Sequence, residues 1–234
     1  MKLTNIEKQF SILFFIIVLF ELITGNAENL KTAHYIAKPA IVISLVFLFV
    51  KTSVHLSKNI KSLTLFALVF SLLGDVLLML VDQSSHFFTV GLIAFLLAHI
   101  MYILVFLKHR NQKQSAVGFI IMLLIYASGL FYLLKDGLGE MLLPVTIYML
   151  IILGMATSAF LRQGKVNTLS FKLVFIGAVF FMISDSILAL NKFYQPIPLS
   201  NINIMVTYAL AQYLIVLGIL KTPLKSPQGD NPSK

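Results

Sequence analysis

Apolar residues run along this chain in long, nearly unbroken blocks, with short polar stretches between them. The blocks fall at about residues 8–24, 35–50, 62–81, 87–107, 115–134, 141–161, 170–190 and 201–220. A helix needs ~20 mostly apolar residues to cross the hydrocarbon core of a bilayer. The pattern therefore predicts an all-α, polytopic membrane protein with eight transmembrane helices. A closed β-barrel also satisfies every backbone group in lipid, but it needs short segments of alternating polarity, and the chain has none. The second block is short and puts Pro39 in its first turn, where a missing N–H does no harm. The first block follows Lys2 and Lys8 as a secretory leader would. Phe10–Phe20, however, runs into Glu21 without a clear small-residue cleavage site, which predicts a retained helix. Residues 1–221 read as a single membrane domain, and 222–234, rich in Pro, Ser, Gly and Lys, as a disordered cytoplasmic tail.

Composition sharpens this picture. Charged residues make up 12% of the chain and hydrophobic ones 59%, whereas roughly a quarter of a soluble domain is charged. A net charge of +9 raises nucleic acid as a partner. The basic residues lie in short loops between apolar blocks instead of forming one face, so no nucleic-acid partner is expected. Fourteen of the 18 Lys and Arg residues fall in one alternating set of loops and ends, and only Lys31, Lys38, Lys135 and Lys192 fall in the other. The positive-inside rule assigns the first set to the cytoplasm, which places both termini there; in a bacterium the membrane would be the inner one. The chain has no cysteine, which removes disulfides, thiolate chemistry and Cys-ligated metals.

One stretch echoes another. Val69-Phe70-Ser-Leu-Leu-Gly-Asp75-Val-Leu-Leu78-Met-Leu80 and Val179-Phe180-Phe-Met-Ile-Ser-Asp185-Ser-Ile-Leu188-Ala-Leu190 agree at five of twelve positions, the aspartate included. They lie four helices apart, as a parallel duplication of four-helix halves would place them. Chance likeness among apolar helices is the competing account.

The informative residues are those that cost energy in lipid. An ionisable group inside a span costs ~2.5–3.5 kcal/mol on insertion scales and is a functional hypothesis by default. Asp75 and Asp185 are the clearest cases, joined by Glu21, Lys38 and His99. At ~1.5 Å per residue from Ser62 and Ser170, both aspartates lie ~20 Å from the cytoplasmic ends of their helices, in the outer half of the bilayer. Glu21 closes the first helix and Lys38 opens the second near the same face. His99 lies near mid-membrane with Tyr102 on the same stripe, and Asn201, Tyr208 and Gln212 share a stripe of the last helix.

Each has a plainer reading. The aspartates could form a purely architectural ion pair with Lys38. Gly74 and Ser184 could simply permit close helix packing. His99 could be a packed, hydrogen-bonded histidine, while Glu21 and Lys38 could extend to the headgroups. Phosphate loops, nucleophile elbows and His-Glu-x-x-His are absent. With a single histidine deep in a span, an Asp/Asp/His set is under-ligated, so neither metal nor cofactor is expected.

Lys38-Pro39, Gly74-Asp75-x-x-Leu78, Ala98-His99-x-x-Tyr102, Ser184-Asp185-x-x-Leu188-Ala189 and Thr207-Tyr208-x-x-Ala211-Gln212 resemble, in this order, the motifs of the YhhN family of membrane proteins. The resemblance runs from the second helix to the eighth; Glu21 lies outside it. It implies an eight-helix, lysoplasmalogenase-like hydrolase that cleaves the vinyl ether of a lysophospholipid with water, releasing a fatty aldehyde and a glycerophospho-alcohol. Protonating a vinyl ether at its β-carbon gives an oxocarbenium ion that water captures. One carboxylic acid and one carboxylate suit such a cation, as in glycoside hydrolysis. On this reading Asp75 and Asp185 are the catalytic pair. His99, Tyr102, Tyr208 and Gln212 orient water or bind the glycerophosphate, and Lys38 pairs with the phosphate. Two other classes fit the same residues: a transporter or flippase for a small lipid or proton-coupled solute, and a non-catalytic scaffold, which leaves the outer-half carboxylates unexplained.

Overall fold

The computed structural model describes residues 4–222. Eight α-helices follow in order: α1 Asn5–Thr24, α2 Lys31–Thr52, α3 Lys58–Met79, α4 His86–Leu107, α5 Val117–Leu134, α6 Leu142–Phe160, α7 Thr168–Phe193 and α8 Ser200–Leu220. Among the described residues there is no strand. Helices α2 to α8 are each long and apolar enough to cross a membrane, so the chain is a polytopic helical membrane protein. Helix α1 is not in that set; it carries Glu7, Lys8 and Glu21 within its 20 residues. The tail expected beyond residue 221 lies, from residue 223 onward, outside the described residues.

Three helix starts are capped by side chains. Thr4 and Glu7 form a reciprocal capping box on α1, Ser57 accepts from the Ile60 N–H on α3, and Asn167 accepts from the Ser170 N–H on α7. Each cap gives an orphan first-turn N–H a partner. The second helix departs from expectation. It begins at Lys31 instead of residue 35, so Pro39 sits two turns inside it. The proline ring has no N–H to offer the Tyr35 carbonyl, which weakens the helix where it walls the cavity described below.

Helices α7 and α8 form the most extensive pairing, followed by α3 with α4. Both depend on small residues. A Cβ on Gly177 would meet the Ala211 carbonyl at 2.9 Å and the Ile215 amide at 3.0 Å, and one on Gly218 would meet the Val174 amide at 2.8 Å. On Gly74 it would run into the Phe95 ring at 2.6 Å. Association of helices in lipid gains little from apolar burial and relies on such close approach. Helix α8 is the most buried of the spans and α5 the least. Phe14, Ile41, Leu45, Leu68, Phe106 and Phe181 form part of a sealed core, while Phe47, Ile125 and Leu143 face outward, as a lipid-exposed surface requires.

Candidate active site

At the end of the bundle where α1, α3 and α7 finish and α2, α4 and α8 begin, a cavity of ≈ 320 Å³ opens between the helices. Five of the eight candidate site residues named from the sequence line it: Glu21, Lys38, Asp75, Asp185 and Tyr208. Their helices bring them to a common depth because each lies a similar number of residues from the same end of the bundle.

Each aspartate is held by one phenol. Tyr208 of α8 donates to Asp75 Oδ2 at 2.7 Å, and Tyr148 of α6 donates to Asp185 Oδ2 at 2.5 Å. Among the described residues neither Oδ1 has a hydrogen-bond partner, which leaves that atom of each carboxyl for a proton, water or substrate. The two differ in access: Asp75 is 1% exposed, whereas the Asp185 side chain is 15% exposed. Hydrogen bonds continue behind Asp75. Tyr102 donates to Gln212 Oε1 at 2.6 Å, and Gln212 Nε2 reaches the Tyr208 hydroxyl at 3.4 Å. The amide thus accepts from one phenol and donates to the next, and the chain of donors ends on Asp75.

The structure divides the remaining sequence candidates by position. His99, Tyr102 and Gln212 are buried and do not line the cavity. Tyr102 and Gln212 reach the cavity through Tyr208. His99 packs edge-on against Phe181 and Tyr148, with ring centroids 4.6 and 5.3 Å away. Its Nε2 stands 3.8 Å from Asp185 Oδ2, too far for a hydrogen bond, and both ring nitrogens lack partners. Lys38 lines the cavity. Among the described residues no carboxylate lies within 4.0 Å of its ammonium, so the architectural ion pair with an aspartate is not formed. Its charge nevertheless acts on both Glu21 and Asp75.

Glu21 does not extend to a headgroup; it is 1% exposed. Its carboxylate meets His34 Nδ1 at 3.0 and 3.1 Å, and Thr24 adds a hydroxyl at 3.5 Å. His34 and Tyr148 are the residues sequence reasoning missed. Glu21 stands three residues before the end of α1, and His34 three residues after the start of α2. The depth count that located the aspartates also covers Tyr148, ~9 Å into α6 from Leu142, but an isolated tyrosine in an apolar block carries no energetic flag comparable to a charge.

Gly74 and Ser184, each preceding its aspartate, fix the walls. Gly74 admits the Phe95 ring, and Ser184 Oγ donates to the Ile204 carbonyl of α8 at 3.0 Å. Lys31, Asp82, Lys192 and Asn201 form a polar rim, where Lys31 and Asp82 pair at 3.3 Å in an exposed position. Among the described residues no three His, Asp or Glu side chains converge as metal ligands. The arrangement is a polar chamber inside an apolar bundle. It has two carboxyl oxygens free to exchange protons and a lysine beside them.

Residues 33–219 match the YhhN family. The chain is 33% identical over 158 residues to lysoplasmalogenase TMEM86B of Homo sapiens, covering 68% of this chain and 63% of that protein. It is 34% identical over 160 residues to lysoplasmalogenase TMEM86A of Homo sapiens, covering 66% and 64%. Against lysoplasmalogenase TMEM86B of Sus scrofa the identity is 29% over 161 residues, covering 69% and 65%. The chain thus spans less than two thirds of the length of each of these relatives. No solved structure matches it.

Proposed function

The chain belongs to the YhhN family, and from that membership we propose that it is a membrane hydrolase that cleaves the vinyl ether of lysoplasmalogen-type lysophospholipids. The observation that carries the reading is the pair Asp75 and Asp185, both in one cavity, each oriented by a tyrosine with one oxygen free. The protonated member of the pair gives its proton to the β-carbon of the vinyl ether, and the α-carbon becomes an oxocarbenium ion. The ionised member stabilises that cation and takes a proton from the water that adds to it. The resulting hemiacetal loses its hydroxyl proton and breaks its bond to the glycerol oxygen, which takes up a proton. Aldehyde and glycerophospho-alcohol leave, and one proton returned between the carboxyls resets the site. Tyr208 and Tyr148 hold the carboxyls on the reacting atoms. Lys38 and the rim lysines supply positive charge for the substrate's phosphate, while the alkenyl chain enters sideways between helices.

The same reading includes eight spans, with both ends cytoplasmic and the cavity in the outer half of the bilayer. Helix α1 supports its place as the eighth span by running against α2 and α8 along its length. Ser11 bonds Tyr213 at 2.5 Å, Phe14 stacks on Tyr213 with centroids 5.0 Å apart, and Glu21 meets His34 at the far end. A duplication of four-helix halves is supported by packing. The pairings α3–α4 and α7–α8 are the two largest, α2–α3 and α6–α7 are equally extensive, and each aspartate stands eighteen residues after its side-chain N-cap, Ser57 or Asn167.

Purified full-length protein given lysoplasmenylethanolamine is expected to release fatty aldehyde in proportion to enzyme and time. The same lipid with a saturated ether should be inert, since it offers no carbon to protonate. Absence of aldehyde from folded protein would remove the hydrolase reading, and solute or lipid movement in proteoliposomes without product would put a transporter in its place. Tyr148→Phe and Tyr208→Phe are each expected to lower turnover roughly 10–100-fold, the value of one hydrogen bond to a charged group, with little change in KM. Unchanged turnover in both would mean that the phenols do not act on the carboxyls during reaction.

A further inference from the structure

A second cavity, of ≈ 610 Å³, lies at the other end of the bundle, where α2, α4 and α8 finish and α3 and α7 begin. Its polar lining includes His55, Asn59, Lys108, His109, Lys165 and Thr222, with no carboxylate among the lining residues. Arg162 stands behind Thr222. It is 1% exposed, and its Nη2 donates to Thr222 Oγ1 at 3.3 Å and to Ser170 Oγ at 3.0 Å. Nη1 reaches the Ser170 carbonyl at 3.4 Å, and Nε has no partner. All of these acceptors are neutral, and among the described residues no carboxylate comes within 4.0 Å of the guanidinium. A buried charge without a counter-charge is strongly disfavoured.

Its neighbour shows how the chain otherwise handles a buried cation here: Lys221 is matched by Glu7 at 2.6 Å. Among the described residues no carboxylate matches Arg162, which faces the Phe106 ring 5.7 Å away, and the cavity beside it adds two exposed lysines. His109 adds an unpartnered ring nitrogen to the same wall. Its Nδ1 is buried without a partner, and burial together with the Arg162 and Lys165 charges pushes the ring down to about 4, so it is neutral near pH 7. His55 is already engaged with the Leu220 carbonyl at 2.9 Å.

From this cavity, its lysines and a buried Arg162 that no carboxylate among the described residues pairs, we infer that this end of the protein binds a phosphate ester anion, carried by an anionic lipid headgroup or a soluble phosphate compound. Lys108 and Lys165 contact the anion, His109 donates from the wall, and Arg162 supplies its charge through Thr222. The site is separate from the Asp75–Asp185 cavity and stands whether or not that cavity hydrolyses a vinyl ether.

Thermal unfolding of the full-length protein in neutral detergent tests this with three probes: phosphatidylglycerol, glycerol 1-phosphate and phosphatidylcholine. One or both of the first two should raise Tm in a saturable way, and phosphatidylcholine should not. Stabilisation by phosphatidylglycerol alone identifies a lipid headgroup, and stabilisation by glycerol 1-phosphate as well identifies a soluble source. Lys108→Gln/Lys165→Gln should weaken apparent affinity about tenfold or more; both side chains are exposed, so folding is retained. Lys51→Gln/Lys172→Gln removes equal charge from exposed positions at the same end that line neither this cavity nor the pocket beside it, and should leave affinity unchanged. Bound anion should also raise the titration midpoint of the His109 ring in an NMR experiment, because it favours the imidazolium. Equal losses from both double variants, or no distinction between phosphatidylglycerol and phosphatidylcholine together with no effect of glycerol 1-phosphate, would overturn the inference.

Discussion

Asp75→Asn and Asp185→Asn are each expected to reduce aldehyde release by at least ~10²–10⁴-fold, the usual contribution of a positioned acid or base, while leaving the bundle folded. Asparagine has the shape of aspartate and keeps an oxygen to accept from Tyr208 or Tyr148, so packing survives. It cannot deliver a proton to carbon, and it cannot carry the negative charge that faces an oxocarbenium ion. Because the two groups act in one proton cycle, the double variant should be scarcely worse than either single one. The measurement is initial rate by aldehyde detection, with helix content and thermal unfolding followed on the same samples. Loss in one variant alone would assign both roles to that carboxyl and water. Full rates in both folded variants would end the carboxyl mechanism.

Lys221→Met is expected to destabilise the protein by ~3–5 kcal/mol, the cost of breaking a buried ion pair from one side. Glu7 and Lys221 meet at 2.6 Å with side chains 6% and 3% exposed. The Glu7 oxygen that receives Lys221 also receives the Thr4 N–H at 2.7 Å, so removing the ammonium strands a carboxylate in the first turn of α1. Adding Glu7→Gln should recover much of the loss, since the amide can still accept from Thr4 and no buried charge is left unpaired. Thermal unfolding in detergent, compared across the two single variants and the double, gives the coupling. Simple additivity would mean that the pair does not hold α1 to α8, and that the Ser11–Tyr213 and Phe14–Tyr213 contacts do so alone.

The aspartates were legible in the sequence because a charge in lipid is costly whatever surrounds it, and helix rise converts residue count into depth. That is why Asp75, Asp185, Glu21 and Lys38 could be placed near one end before any packing was known. Tyr102 and Gln212, sixteen and twelve residues from the same end of the bundle, lie deeper and sit behind Tyr208. The same reasoning passed over Tyr148 and His34. Pro39 was read at a helix start because the apolar block begins near it, but the helix runs on through Lys31, whose polarity is tolerated at the membrane edge.

By itself, the sequence determined that the chain is a helical membrane protein, where its apolar helices lie, and how far from their helix ends its costly residues stand. All three are one-dimensional properties, set by run length and by the price of charge in hydrocarbon. Only the tertiary structure decided which way each helix is turned and which helices are neighbours. In water, an apolar stripe marks the face that turns inward. In lipid both faces are apolar, so rotation is set by contacts such as Gly177 against Ala211 and Ile215, and Gly74 against Phe95. Those contacts bring Tyr148 onto Asp185 and Tyr208 onto Asp75 and, among the described residues, leave Arg162 buried without a carboxylate partner.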